Sequence, residues 1–124
     1  MTKATPDEIE VFESLQRTTD ITDFPRLIRR VSTHVDRIDE AQLDNASINA
    51  KLAVSIAGTL TTLMESARTL DASGRSTLRG AVEYFLLTGD ADDDVSSPVG
   101  LEDDARVVNH ACELLGRPDL VISI

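Results

Sequence analysis

The sequence predicts an all-α, single-domain bundle of about five helices over residues 1–124, with a long central third helix. Three observations carry this. Apolar residues recur at three- and four-residue steps along almost the whole chain, which is the helical period. Each periodic segment is bounded by a capping residue, a proline or a glycine. No alternating strand pattern of useful length occurs. At 124 residues the chain suits one domain, and it shows no linker, repeat or low-complexity segment. Apolar residues are 41% and charged residues 27%, within the globular range, while aromatics at 3% without tryptophan predict an aliphatic core.

The first helix opens at Thr5-Pro6-Asp7-Glu8, where Thr5 can cap, Pro6 suits the first helical position and Glu8 completes a capping box. Ile9, Phe12 and Leu15 form its stripe, which ends near Arg17. A second helix starts at Thr22 or Asp23, with Phe24, Leu27, Ile28, Val31, Val35 and Ile38 on one side. The third runs from about Asp44 to Leu70 and is the longest, with Leu52, Ile56, Leu60, Leu63 and Met64 inward. Its weakly charged stretch Ala46–Met64 approaches a membrane span in length, but Ser, Thr, Asn and Gly interrupt it, and it reads as a central bundle helix. Ser73 is the expected cap of a fourth helix bearing Leu78, Ala81, Val82, Phe85 and Leu86. Thr88 to Gly100 lacks a period and reads as a loop. A fifth helix opens at Leu101-Glu102-Asp103-Asp104, buries Val108, Ala111, Cys112 and Leu115, and stops at Gly116 and Pro118. The apolar tail 119–124 belongs to no helix.

Charge narrows the function classes. Twelve basic against 22 acidic residues give a net charge of -10. Nucleic-acid binding relies on Lys and Arg replacing counterions, so no nucleic-acid partner is expected. A single cysteine cannot form an internal disulfide, no apolar segment follows Lys3, and no membrane segment is expected, so the predicted compartment is the cytoplasm.

The most unusual feature is acidic. Asp90, Asp92, Asp93, Asp94, Glu102, Asp103 and Asp104 fall within fifteen residues that contain no Lys, Arg or His. Like charges in contact repel by roughly 1 kcal/mol in water, so such a cluster requires a compensator. An EF-hand does not fit, since Val95 stands where the loop needs Gly and Leu101 where it needs a bidentate Glu. A different hard-cation site would use Asp90, Asp94, Asp103 and Asp104; the favoured reading is that these carboxylates cap helices and turns. The second helix offers an internal compensator: Arg26, Arg30 and Arg37 lie near one face with Arg29 beside them. That strip would pair with the acidic loop, contact an acidic partner, or be a solvated face, the default for any single arginine. His34, among the arginines, is expected on the helix surface. Cys112 reads as a buried core residue, and His110, two positions away, points elsewhere, so they form no dyad. With no phosphate loop and no Cys or His metal spacing, catalysis is not expected.

Tyr84-Phe85-Leu86-Leu87-Thr88-Gly89-Asp90, then Asp94, Gly100 and Leu101-Glu102-Asp103-Asp104-Ala105, resembles the YkvA-like bacterial domain of unknown function 1232. That family shows a Tyr-Phe pair, an Asp, a second Asp four residues on, a Gly, and an Asp-Asp pair opening a helix. The likeness is closest at 84–108 and extends over about 78–116. It departs at Ala91-Asp92-Asp93 and Val95-Ser96-Ser97, where the family is apolar. The resemblance implies a small helical bacterial protein and brings no activity; a site, if the motif carries one, would be Asp90, Asp94, Asp103 and Asp104.

The leading expectation is a non-catalytic interaction or regulatory protein that presents an Asp-rich loop to a protein partner, a basic one, through Asp92 and Asp93, with Arg26 and Arg30 as further contacts. The alternatives are a divalent-cation-dependent sensor or weak hydrolase using the Asp cluster, and a self-assembling module that forms homo-oligomers through its tail. No cofactor is expected outside the cation alternative.

Overall fold

Thr5 opens the first helix as its sequence predicts: its hydroxyl accepts from the Glu8 amide at 3.2 Å, and its own amide donates to Glu8 Oε1 at 2.9 Å. The computed structural model describes residues 3–44, 49–87 and 98–123. Among them are five α-helices: α1 (Pro6–Ser14), α2 (Phe24–Asp44), α3 (Ala50–Glu65), α4 (Ala72–Leu87) and α5 (Pro98–Leu114). The chain is an all-α bundle, and no strand occurs among the described residues. Helix α3 packs against α2, α4 and α5, so it is central as expected, while α1 lies against α4 and α5.

The third helix is central but not long. It spans 16 residues against 21 for α2, which is the longest of the five and takes Asp44 as its last residue. Asn49 starts α3 by accepting from the Leu52 amide at 3.1 Å. At the other end the Ser66 amide is shared between the Thr62 and Leu63 carbonyls, and the chain tightens into a 3-10 turn at Ala67–Thr69. Ala67 stays buried through that turn, so the apolar period runs past the break without recording it.

Two other boundaries differ from expectation. Helix α4 is capped by Asp71, whose carboxylate accepts from the Gly74 amide at 2.7 Å, so the cap lies ahead of Ser73, where the fourth helix was expected to start. Helix α5 begins at Pro98, inside the segment expected to be loop. The far end behaves as predicted. Gly116 has φ of +71°, and the amide of Arg117 reaches the Cys112 carbonyl at 2.8 Å, which is the Schellman closure.

The core is aliphatic apart from Phe12, Phe24 and Phe85, all fully buried. Helices α1 and α4 approach closely at Gly80, where a Cβ would stand 2.9 Å from the Phe12 carbonyl oxygen. Arg75 holds the turns on either side of the bundle together, donating to the Thr19 carbonyl at 3.0 Å and the Leu70 carbonyl at 2.9 Å.

The tail has a place in this fold. Asn109 grips Ile122 through both halves of its amide: Nδ2 donates to the Ile122 carbonyl at 2.9 Å, and Oδ1 accepts the Ile122 amide at 2.6 Å. The Thr59 hydroxyl donates to the Leu120 carbonyl at 3.0 Å, and Ile122 is buried. Replacing a buried group that satisfies two backbone partners leaves both unpaired at about 1–3 kcal/mol each. Asn109→Ala is therefore expected to lower stability by about 2–3 kcal/mol in urea titration and to expose the amides of residues 120–122 to hydrogen exchange. Unchanged protection of those amides would contradict the clamp.

Candidate anion-binding groove

The first half of α2 carries the feature that stands out. Arg26, Arg29, Arg30, Thr33, His34 and Arg37, with Leu86 of α4, line a groove of about 300 Å³. Its origin is the roll of α2. Phe24, Leu27, Val31, His34 and Ile38 form the buried stripe, and the arginines at 26, 30 and 37 follow beside it, against α4. The face read from the spacing of those arginines is thus the face the structure shows, with Arg29 also at its edge.

Among the described residues the charge of the groove is only partly met. Arg30 Nη1 lies 3.1 Å from Glu83 Oε1, and the same carboxylate lies 3.8 Å from Arg79 Nε. Arg26, Arg29 and Arg37 make no ion pair among the described residues. The helix does not want this arrangement for its own sake. Arg26 stands in the first turn and Asp44 in the last, each at the end where the dipole disfavours it, at about 0.3–1 kcal/mol apiece.

His34 is not on the surface. It is 4% exposed and meets Phe85 edge to face, with ring centroids 4.7 Å apart. The reason is positional: Leu27, Val31, His34 and Ile38 step by four, three and four, so a histidine holds an inward slot of the stripe. His34 is also one of the residues that line the groove.

The expected carboxylate site does not assemble as read. Asp90, Asp92, Asp93 and Asp94 lie outside the described residues. Asp103 and Asp104 are not caps, because α5 starts at Pro98 and places them in its second turn. Asp103 pairs with Arg106, whose guanidinium also grips Glu8 of α1 with two bonds of 3.2 and 2.8 Å. Asp104 turns inward, is 1% exposed and is engaged there. Neighbours on a helix diverge by about 100°, so these two carboxylates face different surroundings. Among the described residues no group of three or more His, Cys, Asp or Glu is placed to hold a metal ion.

Cys112 is buried as expected, and burial, with a smaller push from Asp119, raises its thiol from 9.0 to about 11. A raised thiol favours the neutral form, so its stabilising effect is whole below pH 9 and is lost as pH rises through about 11. At pH 8 iodoacetamide is expected to modify native protein at least about 100-fold more slowly than urea-unfolded protein, on thiolate fraction alone. Equal rates would contradict the burial. His110 packs edge-on to Phe12 at 5.7 Å. Near the tail the Arg117 guanidinium, bonded at 3.1 Å, holds the Asp119 carboxyl below its ordinary range.

Three functional or structural side chains escaped the sequence reading: His34, Arg106 and Asn109. Only His34 left a signal, its place in the four-three-four stepping. Among the described residues no helix is long and apolar enough to cross a membrane. No family model, curated protein or solved structure matches this chain significantly.

Proposed function

We propose that this chain is a non-catalytic interaction or regulatory protein that works through the α2 groove and takes an anionic group from its partner. The observation that carries this is the gathering of Arg26, Arg29 and Arg37, without ion pairs among the described residues, into one concavity of a chain with net charge -10. Arginine forks match carboxylate and phosphate oxygens in geometry as well as charge. Arg26 and Arg30, expected as contact residues, both line the groove, whereas Asp92 and Asp93 lie outside the described residues. The partner of this reading is therefore acidic at the contact, in place of the basic partner expected for the Asp-rich loop. Binding is favoured over catalysis because Cys112 is closed in the core and His110 is packed on Phe12. The YkvA-like reading rests on residue spacing alone and adds no activity. A cytoplasmic setting agrees with a lone cysteine that has no disulfide to form.

Calorimetric titration tests the reading with two anionic probes, inorganic pyrophosphate and a Glu-rich peptide, and a Lys-rich peptide as the opposite charge. At least one anion is expected to bind at about 50 mM salt, to weaken at about 300 mM, and to lose affinity in Arg26→Gln/Arg37→Gln. Binding of the Lys-rich peptide alone, or of none of the three, would contradict it.

A further inference from the structure

We infer that the ligand of this groove is a compact soluble diphosphate, the kind of group carried by a nucleoside diphosphate or by free pyrophosphate; this rests on the reading of the groove as an anion site. Four guanidinium groups line it, and among the described residues only Arg30 has an ion-pair partner, Glu83, which leaves a surplus of three positive charges there. One carboxylate from a peptide would meet only one of these. A terminal phosphate brings close to two charges, and joining two phosphates through a shared oxygen leaves about three in all, which meets the surplus within one small ligand.

The layout of the donors agrees. Arg26, Arg30 and Arg37 leave the helix at points spread over about 16 Å of its axis, so their forks reach a ligand from different levels. Thr33 stands between them in the same lining and offers a neutral hydroxyl. A volume of about 300 Å³ is at the small end of ligand sites and suits a compact group. The rest of the molecule argues against a long polyanion. With net charge -10 overall and the surplus of arginine confined to this groove, the surface beyond it repels a nucleic acid, an extended acidic peptide or an anionic membrane. Only an anion small enough to stay inside the groove avoids that repulsion.

Four measurements on the full chain decide the matter. Pyrophosphate and a Glu-rich peptide are titrated by calorimetry, vesicles of phosphatidylserine and phosphatidylcholine are tested by co-sedimentation, and thermal unfolding is followed with and without pyrophosphate. Pyrophosphate is expected to bind at least about 10-fold more tightly than the peptide and to raise the unfolding temperature, while the vesicles do not retain the protein. Arg26→Gln/Arg37→Gln is expected to weaken pyrophosphate by at least about 10-fold, and Arg68→Gln, an exposed arginine outside the groove, by less than about 2-fold. Both Gln variants alter exposed side chains and are expected to keep the parent's helical circular dichroism, which is measured before affinities are compared. A peptide affinity equal to or above that of pyrophosphate overturns the diphosphate assignment and leaves the anion groove standing. Vesicle binding without pyrophosphate binding overturns the assignment too. Failure of every anion overturns the assignment and the groove reading together.

Discussion

Phe85→Ala is expected to remove about 3–5 kcal/mol of stability. Phe85 is fully buried, and its ring stands perpendicular to that of His34, so it is the piece of α4 that meets the polar slot of α2. Truncation leaves a cavity beside the imidazole and forfeits the edge-to-face contact with it. A domain of this size holds on the order of 5–15 kcal/mol in all, so the variant is expected to unfold at much lower urea and to hold α4 loosely against α2. Phe85→Leu keeps most of the volume and is expected to lose only about 1–2 kcal/mol. Because Leu86, next to Phe85, is the α4 residue that lines the groove, pyrophosphate binding should fall in Phe85→Ala even where the protein remains folded. Urea titration of both variants is the check, and a loss below about 1 kcal/mol for the alanine form would contradict this packing.

The second large effect is predicted at Arg106. Its guanidinium joins α5 to α1 by two bonds to Glu8 and pairs with Asp103, with both Arg106 and Glu8 mostly shielded from water. Glu8 has a second duty, since its Oε1 also accepts the Thr5 amide that starts α1. Removing the arginine strands a shielded carboxylate and weakens the entry of α1 at once. Arg106→Ala is expected to cost about 2–4 kcal/mol, less than a fully buried pair because some solvent reaches the site. The specific claim is coupling: in a double-mutant cycle with Glu8→Gln the two losses should overlap by about 1–2 kcal/mol. Additive losses would show that the pair contributes packing alone.

Much of the architecture was legible, because periodicity and caps are local. Thr5, Pro6 and Glu8 marked the start of α1, and Gly116 with Pro118 marked the end of α5. The roll of α2 followed from Phe24, Leu27, Val31 and Ile38, and with it the shared face of Arg26, Arg30 and Arg37. What stayed hidden depends on tertiary partners. The apolar period runs unbroken from α3 into Ala67, so the helix end at Glu65 left no trace in it. His34 looked polar and hence superficial, though its slot is inward and Phe85 of α4 supplies the surface it packs on. The fate of Asp103 and Asp104 turned on α5 already being helical from Pro98, three residues before the acidic run suggested. The tail looked unattached because its anchor, Asn109, is an isolated polar residue in an apolar stripe, and only the fold brings Ile122 to it.

The central claim is that the arginines of α2 form one receptive surface for an anion. Its most direct measurement is a map of backbone amide resonances during titration with pyrophosphate. The largest shifts are expected on residues 26–37 and at Leu86, with α1 and α5 unmoved. Shifts centred on α1 or α5, or none at all, would contradict it.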